Sequence, residues 1–196
     1  MNSMDKEEFS RIRELYGEED VIPAHSFDNH VLEVYRNAKK LLEDEDVDSE
    51  VVKYSALLHD VGRHISGEES HAEKGAEKAN EFLIEQLGKD SSFAERVSEC
   101  IRFHSNRPHL KPPTREAEIL WTADKMDAMG ATGLCRFLLT LGAKNYSCES
   151  AVDILDRRVS EAEESLKDFG FDELIDGLNT LKSFTEQYKE ENHVSN

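Results

Sequence analysis

Residues 51–60 read VVKYSALLHD, an apolar run that ends on a histidine and an aspartate. The run is apolar on nearly every side, which predicts a helix buried at the centre of the protein. Burying an ionised carboxylate such as Asp60 is costly unless it is paired, hydrogen-bonded or bound to a metal. His59 and Asp60 are both strong metal ligands, so the run predicts a metal site at the end of a central helix.

Two further segments offer co-ligands for this pair. His30 lies four residues before Val34 and shares the apolar face of its helix, and Asp124 lies on the inner face of a helix that begins near Arg115. Each residue alone has an ordinary interpretation, as a hydrogen-bonded core histidine or as an aspartate that caps a helix. Four such groups facing one core, without a comparable supply of buried cations, instead favour a shared metal ion.

The predicted ligand set is His30, His59, Asp60 and Asp124. Two histidines and two carboxylates suit an octahedral divalent ion such as Mn²⁺, Co²⁺, Ni²⁺, Fe²⁺ or Mg²⁺. Four protein ligands leave two octahedral positions open, one for a water whose pKa the metal lowers and one for a substrate oxygen. The pattern is therefore typical of a metallohydrolase.

The rest of the sequence predicts helices throughout, because no stretch shows convincing alternation of apolar and polar residues. The chain has 196 residues, enough for one domain with a sizeable core, and it shows no linker and no internal repeat. We therefore predict a single all-α domain over residues 1–196, a helical bundle. Its core spans about residues 20–145, and two C-terminal helices at about 149–189 pack on that core.

Local signals mark several helix ends and one loop. A capping-box pattern at Ser92 and Glu95 predicts the start of one helix. Gly130 and Gly133 are predicted to interrupt a later helix before a further apolar run. Residues 105–114 hold three of the four prolines, so we predict a loop there.

The composition excludes several classes of function. The net charge is −18, with 24 lysines and arginines against 42 aspartates and glutamates. Nucleic-acid binding needs a basic surface to neutralise phosphates, so we predict no nucleic-acid partner. No apolar run approaches the ~18 residues of a membrane span, and the start of the chain lacks the pattern of a signal peptide. Because three cysteines make no even disulfide framework, we predict a cytoplasmic protein without a membrane partner.

The order of these motifs resembles that of a known family, the HD superfamily of metal-dependent phosphohydrolases. The stretch LLHDVGR at 57–63 is similar to the family signature, and WTADKMDAMGATG at 121–133 is similar to the final motif of one bacterial and archaeal branch. HAEKGA at 71–76 and a histidine before a serine, His104, resemble further motifs of that branch. The resemblance covers about residues 20–145. It implies an all-helical fold, hydrolysis of phosphate esters or anhydrides, and metal binding by the four ligands named above.

The resemblance also implies roles for two further histidines, His71 and His104. In members with two metals, additional histidines hold the second ion, whereas in members with one metal the equivalent groups contact the substrate phosphate. We accordingly predict one or two divalent ions, with Asp60, His71 and His104 as catalytic residues. The two histidines would either bind a second metal or donate a proton to the substrate.

Two cations flank the predicted ligands. Some single-metal nucleotidases of the family carry a glutamate three residues after the His-Asp pair, where this chain has Arg63. We predict that Arg63, through parallel donors, and Lys125 bind phosphate oxygens of the substrate. The alternative for each is a surface ion pair. Asp127 is expected to form a local ion pair or cap, and the alternative is a supporting role behind a metal ligand.

Together these features predict a cytoplasmic, metal-dependent phosphohydrolase that uses a metal-activated water. Its substrate would be a nucleotide or another small phosphorylated metabolite, whose phosphate is bound by the metal and the flanking cations. Two alternatives stay open at this point. One is a regulatory module that binds metal or ligand without turnover, and the other is a di-iron oxygenase on a related helical scaffold.

Overall fold

The computed structural model describes residues 6–17, 25–43, 45–63, 71–105, 111–167 and 172–192. Every regular element within these ranges is helical, which confirms the all-α prediction. The helices in chain order are α1 Lys6–Glu14, α2 Leu32–Leu41, α3 Ser49–Leu58, α4 His71–Glu85, α5 Ser91–Phe103, α6 Arg115–Met129, α7 Ala131–Ala143, α8 Cys148–Leu166 and α9 Ile175–Asn192. A π-helical turn, Phe27–Val31, runs directly into α2, and a 3-10 turn, Asp172–Leu174, precedes α9.

Helix α3 lies at the centre of the fold, as the sequence predicts. Seven of its ten residues are buried, and helices α2, α5 and α6 pack around it. Asp48 begins the helix because its carboxylate accepts hydrogen bonds from the backbone N–H groups of Glu50 and Val51 at 3.1 and 3.4 Å. Full burial of a side chain such as Leu57 stabilises the fold by roughly 1.5–3 kcal/mol. This packing fixes the position of the chain that follows Leu58.

Glycines allow two close approaches that shape the site. A Cβ on Gly62 would lie 2.0 Å from the carbonyl oxygen of His71 and 2.5 Å from the backbone nitrogen of Gly75. A Cβ on Gly133 would lie 2.2 Å from the carbonyl oxygen of Asp127. No larger residue fits either position without a backbone shift. The two glycines therefore let α4 approach the end of α3 and let α7 approach the end of α6.

The C-terminal helices pack on a second, smaller apolar cluster. Its buried residues come from α6 and from the C-terminal segment: Trp121, Met129, Leu155, Val159, Ala162, Leu174, Leu178 and Leu181. The larger cluster surrounds α3 and draws residues from α1 through α6. Helix α6 contributes to both clusters and so connects the C-terminal helices to the rest of the fold.

The predicted capping box at Ser92 and Glu95 is wrong. Asp90 caps α5 instead, since its carboxylate accepts a hydrogen bond from the backbone N–H of Phe93 at 3.0 Å. The helix therefore begins at Ser91, one residue before the predicted cap.

The predicted interruption between two helices lies at Gly130 alone, because Gly133 is inside α7. Residues 106–110 of the predicted proline-rich loop lie outside the described residues. Among the helices that are described, none is both long enough and apolar enough to cross a membrane.

Candidate metal centre

Three histidines meet where three separate elements end or begin. His30 lies in the π-helical turn before α2, His59 follows α3, and His104 follows α5. The π-helical turn starts at Ser26, whose hydroxyl accepts a hydrogen bond from the backbone N–H of Asn29 at 3.2 Å. Such turns are frequent at functional sites. All three imidazole rings are almost fully buried.

In each of these rings, Nδ1 makes a hydrogen bond to a group outside the cluster. The Nδ1 contacts are those of His59 with the carbonyl oxygen of Ala56 at 2.8 Å, of His104 with the carbonyl oxygen of Ile101 at 2.6 Å, and of His30 with the carboxylate of Asp127 at 2.6 Å. A carbonyl or an ionised carboxylate only accepts, so Nδ1 carries the proton in all three rings. In a neutral ring Nε2 then presents its lone pair to the cluster, which is the usual arrangement of metal-binding histidines.

The Nε2 atoms of His30 and His59 lie 3.1 Å apart. Because both rings use their Nδ1 protons elsewhere, two neutral rings would bring two lone pairs together unless a proton or a cation lies between them. Burial alone would lower the pKa of His30, but its hydrogen bonds to Asp127 and Asp60 raise that pKa to about 9. Burial lowers the pKa of His59 to about 3. In the absence of a metal, His30 therefore holds a proton that a bound cation would replace.

Asp60 uses both of its carboxylate oxygens in the cluster. Oδ2 lies 2.9 Å from Nδ1 of His25 and 3.4 Å from Nε2 of His30. Oδ1 lies 2.7 Å from Nε of Arg63 and 3.6 Å from Nε2 of His104. Burial alone would raise the pKa of this carboxyl, but the adjacent histidine and Arg63 hold it well below its usual range. Asp60 is thus a buried anion between two groups of histidines.

Asp124 lies on the α6 side of the cluster. Its Oδ1 is 3.4 Å from Nε2 of His30, and its Oδ2 accepts a hydrogen bond from the ammonium of Lys125 at 2.6 Å. Although burial would raise the pKa of Asp124, Lys125 and His30 hold it below its usual range. Lys125 is buried, and the side chain of Arg63 is only 16% exposed. Both cations therefore pair with cluster carboxylates inside the protein, and neither forms the surface ion pair of the alternative interpretation.

His71 extends the row of histidines. The ring centroids of His71 and His104 are 5.2 Å apart, and the centroids of His104 and His59 are 5.1 Å apart. His71 begins α4, as predicted, and the close approach at Gly62 places this helix start beside the turn that carries Asp60. The structure thus brings together the four predicted ligands and the two further predicted histidines.

His25 is a site residue that sequence reasoning missed. Its Nδ1 lies 2.9 Å from Oδ2 of Asp60, and burial lowers its pKa. The residue precedes the cap Ser26 and lies outside the apolar stripe of the helix that follows, so neither periodicity nor spacing draws attention to it.

Asp127 and Arg136 form a further contact beside the cluster; sequence reasoning favoured a local role for Asp127 and missed Arg136. Asp127 does not act only locally: it accepts a hydrogen bond from His30, 97 positions away, and another from Arg136 of α7. Arg136 also donates to the carbonyl oxygen of Asn29, beside His30. The spacing of three residues between Asp124 and Asp127 places both on one helix face. That spacing is the sequence signal available for this contact.

The donor set fits a divalent cation. Three overlapping groups each place one ligand atom per residue within 4.8 Å of the others: His25, His30 and Asp60; His30, His59 and Asp124; and His59, Asp60 and His104. Imidazole and carboxylate donors in this mixture suit first-row divalent ions. Nε2 of His104 is buried and has no hydrogen-bond partner among the described residues, which is unusual for a buried polar atom and leaves it available to a ligand. The cluster could therefore hold a metal ion.

A cavity of about 760 Å³ opens from this cluster. The end that we call the histidine end is lined by His25, His30, His71, His104, Arg63, Asp124 and Lys125. The cavity continues along α7 and α8 to a second end, the arginine end, lined by Lys144, Tyr146, Arg157, Arg158 and Glu161. A volume of this size is typical of sites for small molecules.

Comparisons with known proteins agree with this geometry. A family model described as HD domain matches residues 27–129, just over half of the chain. A predicted HD-superfamily hydrolase from an uncultured Thermotogales bacterium is 31% identical, with a TM-score of 0.54, over 81% of this chain and 86% of that one. No curated protein sequence matches the chain significantly.

Two more distant solved structures share the fold. Bacillus subtilis YpgQ, in complex with ADP, is 20% identical with a TM-score of 0.69, over 93% of this chain and 96% of that one. An HD-superfamily hydrolase from Bacillus thuringiensis is also 20% identical, with a TM-score of 0.57, over 95% of each chain.

Proposed function

The chain belongs to the HD-domain family, and from this premise we propose that it is a metal-dependent phosphohydrolase that acts on a small phosphorylated metabolite. One observation carries the proposal: three imidazole Nε2 atoms and two buried carboxylates converge at one end of a cavity of small-molecule size. Structural metal sites are closed by protein ligands, whereas a site that faces a cavity leaves room for a substrate. The arrangement is therefore more typical of a catalytic centre than of a structural one.

In this proposal His30, His59, Asp60 and Asp124 hold the metal ion. The chemistry that a bound divalent ion would supply there is a lower pKa for a water molecule and polarisation of a phosphoryl oxygen. The contribution of the protein is to fix the ligands in advance. The Nδ1 contacts orient the rings, and the packing of α3 fixes the His59-Asp60 turn. Preorganised ligands of this kind lose little entropy when the reactants bind.

Arg63 and Lys125 bind the phosphate in this proposal. Arg63 contacts Asp60 through Nε and lines the cavity, so we assign the phosphate to its terminal N–H groups. Lys125 also lines the cavity, with its ammonium on Asp124. Two positive charges beside a transferring phosphoryl group stabilise the negative charge that its oxygens carry in the transition state. We expect this electrostatic effect to supply much of the rate.

His71 and His104 are the remaining groups at the histidine end. We propose that they act on the departing oxygen as proton donors or hold a second metal ion. Both roles need Nε2 to face the cavity, and the Nδ1 contact of His104 with Ile101 gives that ring the required orientation. The count of bound metal ions separates the two roles.

A nucleotide is the substrate class that we place first. YpgQ, which shares the fold, has been observed with ADP bound. In this chain, Phe137 and Tyr146 supply aromatic surface to the cavity walls beyond the metal cluster. Aromatic rings of this kind can pack against a base. The nucleotide would then place its phosphate at the histidine end.

We place this activity in the cytoplasm. All three cysteines are free, and Cys135 and Cys148 are exposed, as expected of a protein in a reducing compartment. The net charge of −18 argues against a nucleic-acid partner. We likewise propose no membrane partner.

The test combines elemental analysis with a phosphate-release screen over nucleotides and sugar phosphates, run with Mn²⁺, Co²⁺, Ni²⁺ and Mg²⁺. Asp60→Asn keeps the size of the side chain and removes its charge, so it should lose both metal and hydrolysis. Asp153→Asn, at an exposed position of α8, is the matched control and should keep both. Full metal occupancy in Asp60→Asn contradicts the metal assignment. A metal-loaded wild-type protein that hydrolyses no member of the panel contradicts the activity.

A further inference from the structure

Helix α1 lies before the part of the chain that matches the family model. That match begins at residue 27, whereas α1 spans Lys6–Glu14. Tyr16, two residues after the helix, is almost fully buried and belongs to the larger apolar cluster. It contacts both the segment that carries His30 and the segment that carries His59. An element outside the matched residues therefore touches two of the segments that supply candidate metal ligands.

The hydroxyl of Tyr16 contacts the end of α3. It donates a hydrogen bond to the carbonyl oxygen of Leu57 at 2.9 Å. Burial and the nearby charge of Asp60 raise the pKa of Tyr16 well above its usual value, so the hydroxyl keeps its proton and stays a donor. The last carbonyls of a helix have no partner within the helix and need one from elsewhere. Tyr16 supplies such a partner two residues before His59.

The two neighbouring carbonyls at the end of α3 have partners close by in the chain. The carbonyl oxygen of Ala56 lies 2.8 Å from Nδ1 of His59, and that of Leu58 accepts a hydrogen bond from the backbone N–H of Val61 at 3.2 Å. The contact at Leu57 instead connects this turn to a residue 41 positions away. Loss of that contact would therefore loosen the chain where it leads into the first ligand pair.

The ring of Tyr16 packs against the segment that carries His30. Its centroid lies 5.1 Å from that of Phe27, the first residue of the π-helical turn. Arg13, in the last turn of α1, forms an ion pair with Asp28 of the π-helical turn at 2.6 Å. The end of α1 and the residues just after it thus contact this turn at two adjacent positions.

Metal binding requires a narrow range of distances between the two segments. Nε2 of His30 and Nε2 of His59 lie 3.1 Å apart. Metal–ligand distances vary by only about 0.2 Å around their usual values. A segment that moves in the metal-free protein must be ordered when the metal binds, and that cost lowers the affinity. A residue that holds both segments in advance removes part of the cost.

We propose that Tyr16 is a positioning residue of the metal centre. Its hydroxyl holds the turn that carries His59 and Asp60, and its ring holds the turn that carries His30, so that docking of α1 strengthens metal binding. The inference rests on the proposed function, because it concerns the metal ligands of that same site. The alternative is that Tyr16 only packs the core, in which case it stabilises the fold without changing the affinity for metal.

A matched pair of tyrosines separates positioning from packing. Tyr16→Phe keeps the ring and removes the hydroxyl, so it should weaken Mn²⁺ binding by about three- to tenfold, the size of one net hydrogen bond. Tyr54→Phe is the control, because the hydroxyl of Tyr54 donates to Glu8 and so also connects α3 to α1, but from a position five residues before His59. The control should lower the stability of the fold and leave the affinity unchanged. Competition with a coloured chelator measures the affinity of both variants.

Hydrogen exchange tests the same coupling in the wild-type protein. If docked α1 favours the metal, the metal must favour docked α1 by the same factor. The backbone N–H groups of Leu15, Tyr16 and Gly17 donate to carbonyl oxygens in the last turns of α1, so their exchange reports on this end of the helix. Mn²⁺ should slow that exchange by at least about threefold. Residues 186–192 at the end of α9 are the reference, and their exchange should not change.

Three results overturn the proposal. They are a loss of Mn²⁺ affinity below about twofold in folded Tyr16→Phe, an equal loss in Tyr54→Phe, and exchange at residues 15–17 that Mn²⁺ leaves unaltered. Thermal unfolding shows whether each variant is folded, and if Tyr16→Phe is not, the exchange measurement on the wild-type protein decides.

The phosphate-release screen separates this inference from the proposed function. Hydrolysis by the wild-type protein together with an unchanged affinity in Tyr16→Phe leaves the function standing and removes the positioning role. Weakened binding in Tyr16→Phe, in a protein that hydrolyses no member of the panel, does the reverse. A wild-type protein that binds no metal contradicts both.

Discussion

The histidine end and the arginine end of the cavity are built in different ways. At the histidine end the carboxylates and Lys125 are buried, the side chain of Arg63 is 16% exposed, and each carboxylate has a partner within hydrogen-bonding distance. At the arginine end the side chain of Arg157 is 68% exposed. The first end is supported by the large apolar cluster around α3, and the second by the smaller C-terminal cluster. The contrast teaches that the candidate metal ligands lie in the better-packed part of the fold, while the arginines at the other end lie at its exposed edge.

From this contrast we expect substitutions at the histidine end to cause the largest losses of hydrolytic activity. His71→Ala and His104→Ala should each lower hydrolysis by about a hundredfold to ten-thousandfold, because either a proton donor or a metal ligand is removed. Elemental analysis distinguishes the two causes. Loss of about one metal per chain from a count near two supports a second ion, and an unchanged count supports a role in proton transfer.

Arg157→Gln/Arg158→Gln is the matched change at the other end and should leave the metal count unaltered. If both histidine variants keep full activity and metal, the two rings are ordinary packing residues, and the centre is limited to the four-ligand cluster.

In the metal-free protein, the free energy of unfolding should depend on pH through two histidines of the histidine end. From pH 6.5 to about 9 the folded protein keeps a proton on His30 that the unfolded chain has lost, so the free energy of unfolding should fall as pH rises. The fall should amount to about 3 kcal/mol. Below pH 6.5 the unfolded chain binds a proton that folded His59 accepts only near pH 3, so stability should fall there as pH decreases. Urea unfolding in the presence of a chelator measures the change in stability in both pH ranges.

The fall in stability between pH 6.5 and about 9 has its own controls. His30→Gln should abolish it, and saturating Mn²⁺ should also abolish it because the cation replaces the proton. The Gln/Gln variant of the arginine end should keep it. A metal-free wild-type protein whose stability does not change between pH 6.5 and 9 would contradict the assignment of the proton to His30.

Arg63→Ala should lower kcat/KM by roughly ten- to a hundredfold, since a charge-assisted contact with phosphate is worth about 1.5–3 kcal/mol. The metal content should stay intact, and Arg63→Lys should recover part of the activity because the positive charge remains. Arg36→Ala, an exposed change on α2, is the control. Unchanged kinetics in Arg63→Ala would show that this arginine does not contact the substrate.

Asp127→Asn should produce the smallest of these effects. The amide oxygen still accepts a hydrogen bond from His30, but the loss of charge should weaken metal binding by about tenfold. Competition with a coloured chelator measures that affinity directly. Asp153→Asn serves as control, and an unaltered affinity in Asp127→Asn would mean that the contact only packs the helices together.

The histidine end could largely be predicted from the sequence, since its residues leave local signals. His59 and Asp60 terminate an apolar run, and His30 and Asp124 lie on apolar helix faces. The partners of these residues could not be predicted in the same way. Asp127 contacts a residue 97 positions away, so its role depends on how α6 packs against the turn before α2.

The arginine end could not be predicted, because Arg157 and Arg158 have the pattern of any solvated helix face. Only the tertiary fold, in which the guanidinium of Arg158 lies over the ring of Phe137 of α7, places them on a cavity wall. The error at the start of α5 has a local cause: Asp90 and Ser92 are both acceptable caps, and a charged acceptor near a helix N-terminus has the electrostatic advantage.

The π-helical turn Phe27–Val31 makes the place of His30 depend on chain length as well as on residue identity. A π-turn contains one residue more than an α-turn. Deleting Asp28 would allow an ordinary α-helix in its place and would rotate Ser26 and Phe27 relative to His30 by about 100°. Circular dichroism should then show an intact helical protein, while elemental analysis shows weaker metal loading. A related protein that gained or lost one residue in this turn would thus bind the metal differently, even if its sequence kept every ligand residue.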